Sequence, residues 1–446
     1  MSIDLDAPLS RSIERLAARC DHAAHRLDLL RQAQQMLAGR PGADRTARLD
    51  LAAKLERWRY RQLQQNGPSA ADTAEELVNI LDLTARELAG RPRRTARHAQ
   101  AAVAGSACCA AADRAAECLD PEIGLGELTD RAAELTARHF TDPTTGRRRV
   151  LLYAPLYLSS HCVNYCEYCG FRYPNGIERR HLSPAEAVEQ AELLRSRGLK
   201  SILLVAGDFP ALTTGEYYVQ VIDSVVRCGL EPAVEIAPQP TGVYESLAAA
   251  GACGVTLYQE TYDRRLYALY HPRGSKAEYD WRLEGPERAA EGGISRLGLG
   301  ILLGLADPRD DLLALIRHAE YLRERFPECD LAVSLPRIHT APPSFEVPYR
   351  VDDEMLIRLY CALRIALPEA ELVLSTRESA ALRNRLTRIC ITQLSAGSST
   401  VPGGYNALGT YRGGEQFPVS DHRDPAVVAA WLEAAGLQVQ RRRQLG

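Results

Sequence analysis

The sequence lacks any apolar run approaching the roughly 18 residues that a membrane span needs, so no span is expected. It lacks an excess of one charge: 54 basic residues against 57 acidic ones leave a net charge of −3. No global basic field points to nucleic acid as a partner. The opening Met1-Ser2-Ile3-Asp4-Leu5-Asp6 lacks the basic stretch and apolar core of a secretory leader, and a cytoplasmic location is the expectation. No fixed-period repeat of the solenoid kind is present. An apolar fraction of 46% and a charged fraction of 25% exclude a disordered, collagen-like or small disulfide-stapled chain.

What is present is a chain of 446 residues, long enough for more than one domain, with twelve cysteines. Without a leader, those thiols suggest a reducing compartment, where cysteine packs in cores or binds metals. Cys20, Cys118, Cys228, Cys253, Cys329, Cys361 and Cys390 are scattered singly and read as small buried hydrophobes. The pair Cys108-Cys109 sits in an alanine-rich stretch and is expected on a helix. Residues 1 to about 147 read as helical throughout, with apolar residues at helical spacing over 13–37, 45–65 and 70–88 and breaks at Gly39-Arg40-Pro41-Gly42 and Gly67-Pro68. The basic connector Arg91-Pro92-Arg93-Arg94 reads as a solvated loop, with an anionic partner as the sharper alternative.

From about Arg149 the pattern changes. Short apolar or β-branched runs alternate with helical ones, and strands are expected at 150–157, 201–206, 233–237, 254–258, 296–303, 330–335, 371–375 and 389–394. Eight strands separated by helices fit a parallel (β/α)8 barrel, and an open doubly wound sheet is the rival. Directly after the first strand comes His161-Cys162-Val163-Asn164-Tyr165-Cys166-Glu167-Tyr168-Cys169-Gly170, a C-x3-C-x2-C spacing. Three thiolates in one short loop can each ligate one iron of a four-iron cluster, leaving the fourth iron open to a small molecule. A structural zinc site would want a fourth ligand, and His161 is poorly placed for it beside Cys162.

The spacing, with Tyr168 before the last cysteine, resembles the signature of radical S-adenosylmethionine (SAM) enzymes. Ala154-Pro155-Leu156-Tyr157-Leu158-Ser159 before the triplet and Cys169-Gly170-Phe171-Arg172 after it resemble the aromatic amino-acid lyase branch. So do Tyr258-Gln259-Glu260-Thr261-Tyr262, Tyr279-Asp280-Trp281-Arg282-Leu283, Ser375-Thr376-Arg377-Glu378, Ser395-Ala396-Gly397-Ser398 and Pro402-Gly403-Gly404-Tyr405. The resemblance covers about residues 148–440 and implies an α/β fold: a TIM-type (β/α)8 radical SAM barrel. An all-helical N-terminal extension would span 1–147, the barrel core 148–335, and a biotin/thiamin-synthesis-associated region completing the barrel 336–446.

The resemblance also implies a [4Fe-4S] cluster on Cys162, Cys166 and Cys169 with S-adenosylmethionine on its open iron. It assigns Tyr168, Gly207, Asp208, Glu260 and Arg282 to the cofactor. Members of the branch usually carry Glu where Asp208 stands, and a capping Asp in a turn is the plain reading of that residue. Arg377 at the end of the seventh strand would hold the substrate carboxylate with its guanidinium fork, and Ser395 would add a hydroxyl. Tyr157 and Arg337 match further active-site positions, although a core aromatic explains Tyr157 equally well. The glycines of Gly298-Leu299-Gly300 would admit the adenine or serve packing.

The implied reaction breaks a bond at Cα of a free aromatic amino acid. L-Tyrosine going to 2-iminoacetate and p-cresol is the first expectation, and L-tryptophan going to 3-methyl-2-indolic acid the alternative. Asp263 and His339 replace the His and Arg usual in tyrosine lyases, on loops at the barrel mouth. No cysteine follows Cys390, so the second-cluster chemistry of the hydrogenase-maturing member is not expected. The implied partners are an external electron donor of flavodoxin or ferredoxin type and a protein docking on the N-terminal helices, for which a simple structural cap is the alternative. A non-catalytic electron carrier and a scaffold with a relict barrel are the readings from other classes.

Overall fold

The computed structural model describes residues 45–66, 99–105, 108–405 and 414–442, with a few isolated positions between 28 and 86. The expected helices at 13–37 and 70–88 and the Arg91–Arg94 connector otherwise lie outside the described residues. Two compact units emerge, one formed by Met1–His98 with Pro240–Val243, the other by Ala99–Gln239 with Tyr244–Gly446. In the first, helix Arg45–Asn66 buries Leu51, Ala52, Leu55 and Trp58, apolar residues at helical spacing.

The second unit is the barrel. Its strands are β1 (Arg149–Ser159), β2 (Ser201–Ala206), β3 (Glu231–Glu235), β4 (Gly254–Thr256), β5 (Arg296–Gly300), β6 (Asp330–Ser334), β7 (Glu371–Leu374), β8 (Gln393–Ser395) and β9 (Gln438–Gln440). All pair in parallel, and β1 bonds to both β2 and β8, so the first eight close on themselves. That closure excludes the open sheet. β1 is long because it serves three neighbours: Arg149–Leu151 pair with β9, Leu151–Tyr153 with β8, and Tyr153–Ser159 with β2.

The helices between strands start where the sequence supplies caps. Ser183 and Glu186 form a capping box ahead of Pro184–Ser196, and Thr214, Asp307, Asp352 and Ser379 each accept a backbone N–H at the next starts. Helices Ala110–Cys118 and Leu125–Phe140 pack on the barrel helix Asp353–Ala366. Arg358 of that helix donates to the carbonyls of Cys118, Asp120 and Ile123, tying them to the barrel wall.

Three local expectations shift. Cys108 and Cys109 precede the helix instead of lying on it, Cys109 being its extended N-cap. Regular β4 stops at Thr256, after which Gln259 N–H donates to Gly300 and Glu260 makes an isolated bridge to Ile301. The run at 389–394 divides between a helix end at Ile389 and a strand that begins at Gln393, because a short apolar run suits either state. No helix among the described residues is long and apolar enough to cross a membrane.

Candidate active site

The C-terminal ends of parallel barrel strands are where side chains from many loops converge. β1 leads straight into the thiol loop there. Three other segments, at 207–208, 270–273 and 416, fix that loop through its backbone. Gly207 N–H donates to Ser159, Val163 N–H to Asp208, Tyr165 N–H to Arg273, Glu167 N–H to Tyr270, and Gly170 N–H to Gln416. Two glycines are required by this closeness. A Cβ on Gly207 would collide with the His161 carbonyl, and one on Gly170 with the carbonyls of Glu415 and Gln416. Arg179, which the sequence reading passed over, staples the far side by donating to the carbonyls of Ser160, Phe171 and Arg172 at 2.5, 2.7 and 2.7 Å.

Cys166 is buried, and Cys162 and Cys169 are half-buried against Tyr157, Phe171 and Val205. Burial pushes the Cys166 thiol up to about 12 and raises that of Cys169. Thiols so desolvated become thiolates when a strong positive charge joins them, as in metal binding. No three His, Cys, Asp or Glu side chains among the described residues converge on a single-ion site. Thiolates that each bind a different iron need no such convergence. Three soft sulfur donors on a backbone-clamped loop, packed closely through Gly207 and Gly170, fit an iron–sulfur cluster.

Around this loop stand the other residues singled out in the sequence. Tyr168 O–H lies 2.8 Å from His271 Nε2, while His271 Nδ1 lies 2.8 Å from the Tyr267 carbonyl. A carbonyl only accepts, so Nδ1 carries the proton and Nε2 accepts from Tyr168. Burial holds His271 far below the usual histidine range, which keeps it neutral. Asp208 accepts from Asn164 Nδ2 at 3.2 Å and from Ser275 Oγ, and Lys276 N–H donates to Asn164 Oδ1 at 2.9 Å.

Glu260 is the one non-glycine described residue at positive φ, 72°, in the region that costs an ordinary side chain strain. Burial works against its charge, yet Lys276 Nζ at 2.6 Å and Arg282 Nη2 at 3.7 Å hold its pKa below the ordinary carboxylate value. Arg282 is itself anchored by its Nε to the Tyr258 carbonyl at 2.5 Å.

Deeper in the mouth is a cavity lined by Tyr157, Glu235, Tyr258, Arg377, Ser395 and Phe417 among others. Arg377 stacks on the Phe417 ring, 3.3 Å from its centroid, and has no ion-pair partner among the described residues. Ser395 Oγ accepts from Thr376 N–H at 3.1 Å, and Tyr157 O–H donates to Gln416 Oε1 at 2.6 Å. Tyr157, Arg377 and Ser395 are thus brought together.

Arg337 is not among the residues that line the cavity. Its guanidinium is occupied by Glu378 at 2.6–3.1 Å, Asp353 at 2.5 Å and the Val351 carbonyl at 2.9 Å. His339 joins the same Glu378 at 3.0 Å. Asp263 caps helix Arg264–Tyr270 by accepting from Leu266 N–H. Gly298 and Gly300 are required by packing, since a Cβ there would strike Thr256 and Tyr258. Glu235 was missed by the sequence reading. A carboxylate ending a barrel strand was its one available signal.

Residues 156–319 match the family model of the radical SAM superfamily, and 334–438 that of the biotin and thiamin synthesis associated domain. The chain is 36% identical over 315 residues to the 2-iminoacetate synthase of Escherichia coli (strain K12), spanning 70% of this chain and 81% of that one. A crystal structure of HydG, a maturase of the [FeFe]-hydrogenase, superposes with a TM-score of 0.69 at 32% identity, covering 77% of this chain and 75% of its own. HydG from Carboxydothermus hydrogenoformans gives a TM-score of 0.67 at 30% identity, over 91% of this chain and 86% of its own.

Barrel and thiol loop are those of a radical SAM enzyme, a class that uses a [4Fe-4S] cluster and S-adenosylmethionine. The chain belongs to the radical SAM aromatic amino-acid lyase family and is a lyase.

Proposed function

We propose that this enzyme breaks a bond at Cα of a free aromatic amino acid, with L-tyrosine going to 2-iminoacetate and p-cresol. The observation that carries the reading is Arg377: a guanidinium without an ion-pair partner among the described residues, facing a cavity beside the thiol loop, in a chain 36% identical to a 2-iminoacetate synthase. When bound, the cluster and S-adenosylmethionine supply a 5′-deoxyadenosyl radical at the mouth.

Cys162, Cys166 and Cys169 hold the cluster, each by one thiolate. Tyr168 and Gly207 shape the loop walls around the cofactor. Glu260 takes its ribose hydroxyls, and Lys276 and Arg282 keep that carboxylate ionised. Asp208 orders Asn164 and Ser275 beside the loop. Arg377 and Ser395 hold the substrate carboxylate, and Tyr157 closes the wall between substrate and thiols. Arg337 acts at one remove, fixing Glu378, the residue next to Arg377.

Tryptophan cleavage to 3-methyl-2-indolic acid is the alternative. His339 is the residue that raises it, because an imidazole bonds Glu378 where tyrosine lyases usually carry an arginine. An external flavodoxin- or ferredoxin-type protein supplies the electron. A reducing cytoplasm fits the free thiols.

The test is one anaerobic assay of the reconstituted protein with S-adenosylmethionine, a strong reductant, and tyrosine or tryptophan. Mass spectrometry follows 5′-deoxyadenosine, p-cresol and 3-methyl-2-indolic acid. Tyrosine-dependent p-cresol is the expected result. The indolic acid would transfer the assignment to tryptophan. An intact cluster yielding no deoxyadenosine would overturn the reading.

A further inference from the structure

β3 and β7 stand four strands apart in an eight-stranded barrel, so their C-terminal ends face each other across the mouth. β7 runs into Arg377, and β3 ends in Glu235. Both side chains line the same cavity. Glu235 is half-buried in the barrel mouth and makes no hydrogen bond or ion pair with any described residue. A carboxylate left in such a place without a partner is costly. Its neighbours in sequence, Ala233 and Val234, are ordinary apolar barrel positions and give no structural reason for a charge.

A free amino acid carries a carboxylate and an ammonium on one carbon. Arg377 suits the first. Arg282 and Lys276 are already engaged with Glu260. That leaves Glu235 as the carboxylate among the described residues lining the cavity. We propose that Glu235 receives the α-ammonium group of the substrate and takes one proton from it, leaving a neutral amine. The exchange is a proton transfer alone: the ammonium N–H bond breaks, its electron pair stays on nitrogen, and a carboxyl O–H forms. It rests on the amino-acid lyase reading above.

The electrostatics suit a proton acceptor working near neutrality. Burial raises Glu235 to about 7, and the negative Glu260 adds to this, while Arg377, Arg282 and Lys276 oppose it. The other titratable groups that face it are the hydroxyls of Tyr153, Tyr157 and Tyr258, all pushed above the usual tyrosine range by burial. They stay neutral while Glu235 titrates.

The experiment compares wild type, Glu235→Gln, Glu235→Asp and Arg377→Ala, each with its cluster reconstituted and S-adenosylmethionine bound. The dissociation constant of tyrosine is measured beside that of its des-amino analogue, 3-(4-hydroxyphenyl)propionate. Glu235→Gln is expected to weaken tyrosine on the order of tenfold to a hundredfold and leave the analogue unchanged. Arg377→Ala weakens both. The rate of deoxyadenosine formation in wild type falls as pH drops below about 7, Glu235→Asp keeps an acid limb, and that limb is absent from Glu235→Gln.

Equal weakening of both ligands by Glu235→Gln, loss of S-adenosylmethionine binding, or an unchanged acid limb would each overturn the proposal. A wild-type protein that binds the analogue and tyrosine equally also overturns it. If wild type binds no amino acid at all, the underlying lyase reading falls, and the proposal with it.

Discussion

The two ends of the barrel treat charge in opposite ways. At the N-terminal end, Arg296 opens β5 and is fully engaged, with Nε 2.5 Å from Glu371 at the start of β7 and Nη2 2.9 Å from Gln393 at the start of β8. Those contacts tie three strands together. At the C-terminal end, Arg377 lies on an aromatic face, Glu235 has no partner among the described residues, and Glu260 is held in a left-handed conformation. Satisfied charge stabilises the first end. Unsatisfied charge and backbone strain at the second are tolerated because the rest of the barrel determines the fold, and they keep groups available for ligands.

The sharpest way to test that contrast is at the thiol loop. Cys166→Ser should abolish cluster assembly and deoxyadenosine formation while leaving the melting temperature of the apo-protein nearly unchanged, as read by iron content, product analysis and calorimetry. Next is Arg377→Lys, which keeps the charge and loses the fork. It should lower kcat/KM for the amino acid on the order of a hundredfold, with folding stability unaltered.

Arg296→Ala should show the reverse pattern. We expect a loss of about 2 kcal/mol in chemical denaturation, from losing the bonds to Glu371 and Gln393, with KM unmoved. A large KM change there would dissolve the distinction between the ends.

The smallest effect concerns Asp311, which supports the mouth from below. It accepts from Tyr262 N–H at 2.7 Å and Thr261 Oγ at 3.1 Å, directly after Glu260. Burial raises it to about 7, against the two hydrogen bonds. The folded protein therefore holds this proton more tightly than the unfolded chain does. The contribution is full below about pH 4 and is lost as pH rises through about 7. Asp311→Asn should flatten stability against pH over that window, and a slope unchanged in the variant would exclude Asp311 as its source.

The barrel was legible because apolar runs and helical stretches alternate along the chain. The thiol loop was legible because three reactive residues sit in one short segment. Glu235 was not legible: it is a lone carboxylate in an apolar strand, and its counterpart Arg377 lies four strands on, brought opposite only by closure. Arg337 and Arg377 read alike in sequence, each an arginine following a strand. Glu378 separates them, binding the first and leaving the second to the cavity. The glycines of β5 carried an ambiguous signal that side-chain packing resolves. Asp263 drew notice as a departure from the family pattern, yet an aspartate ahead of a helix is an ordinary cap.

Gly414–Phe417 touches almost everything that matters. Gln416 bonds Tyr157 and approaches the Cys169 sulfur at 4.0 Å, its carbonyl receives Gly170 N–H, and Phe417 carries Arg377. This short stretch lies far along the chain from the thiol loop and from β3, which carries Glu235. Grafting substrate preference between relatives by exchanging strand-end loops alone would separate parts that this peptide joins. A working chimera has to carry it along, so that the tail of the chain and the front of the barrel are inherited as one unit.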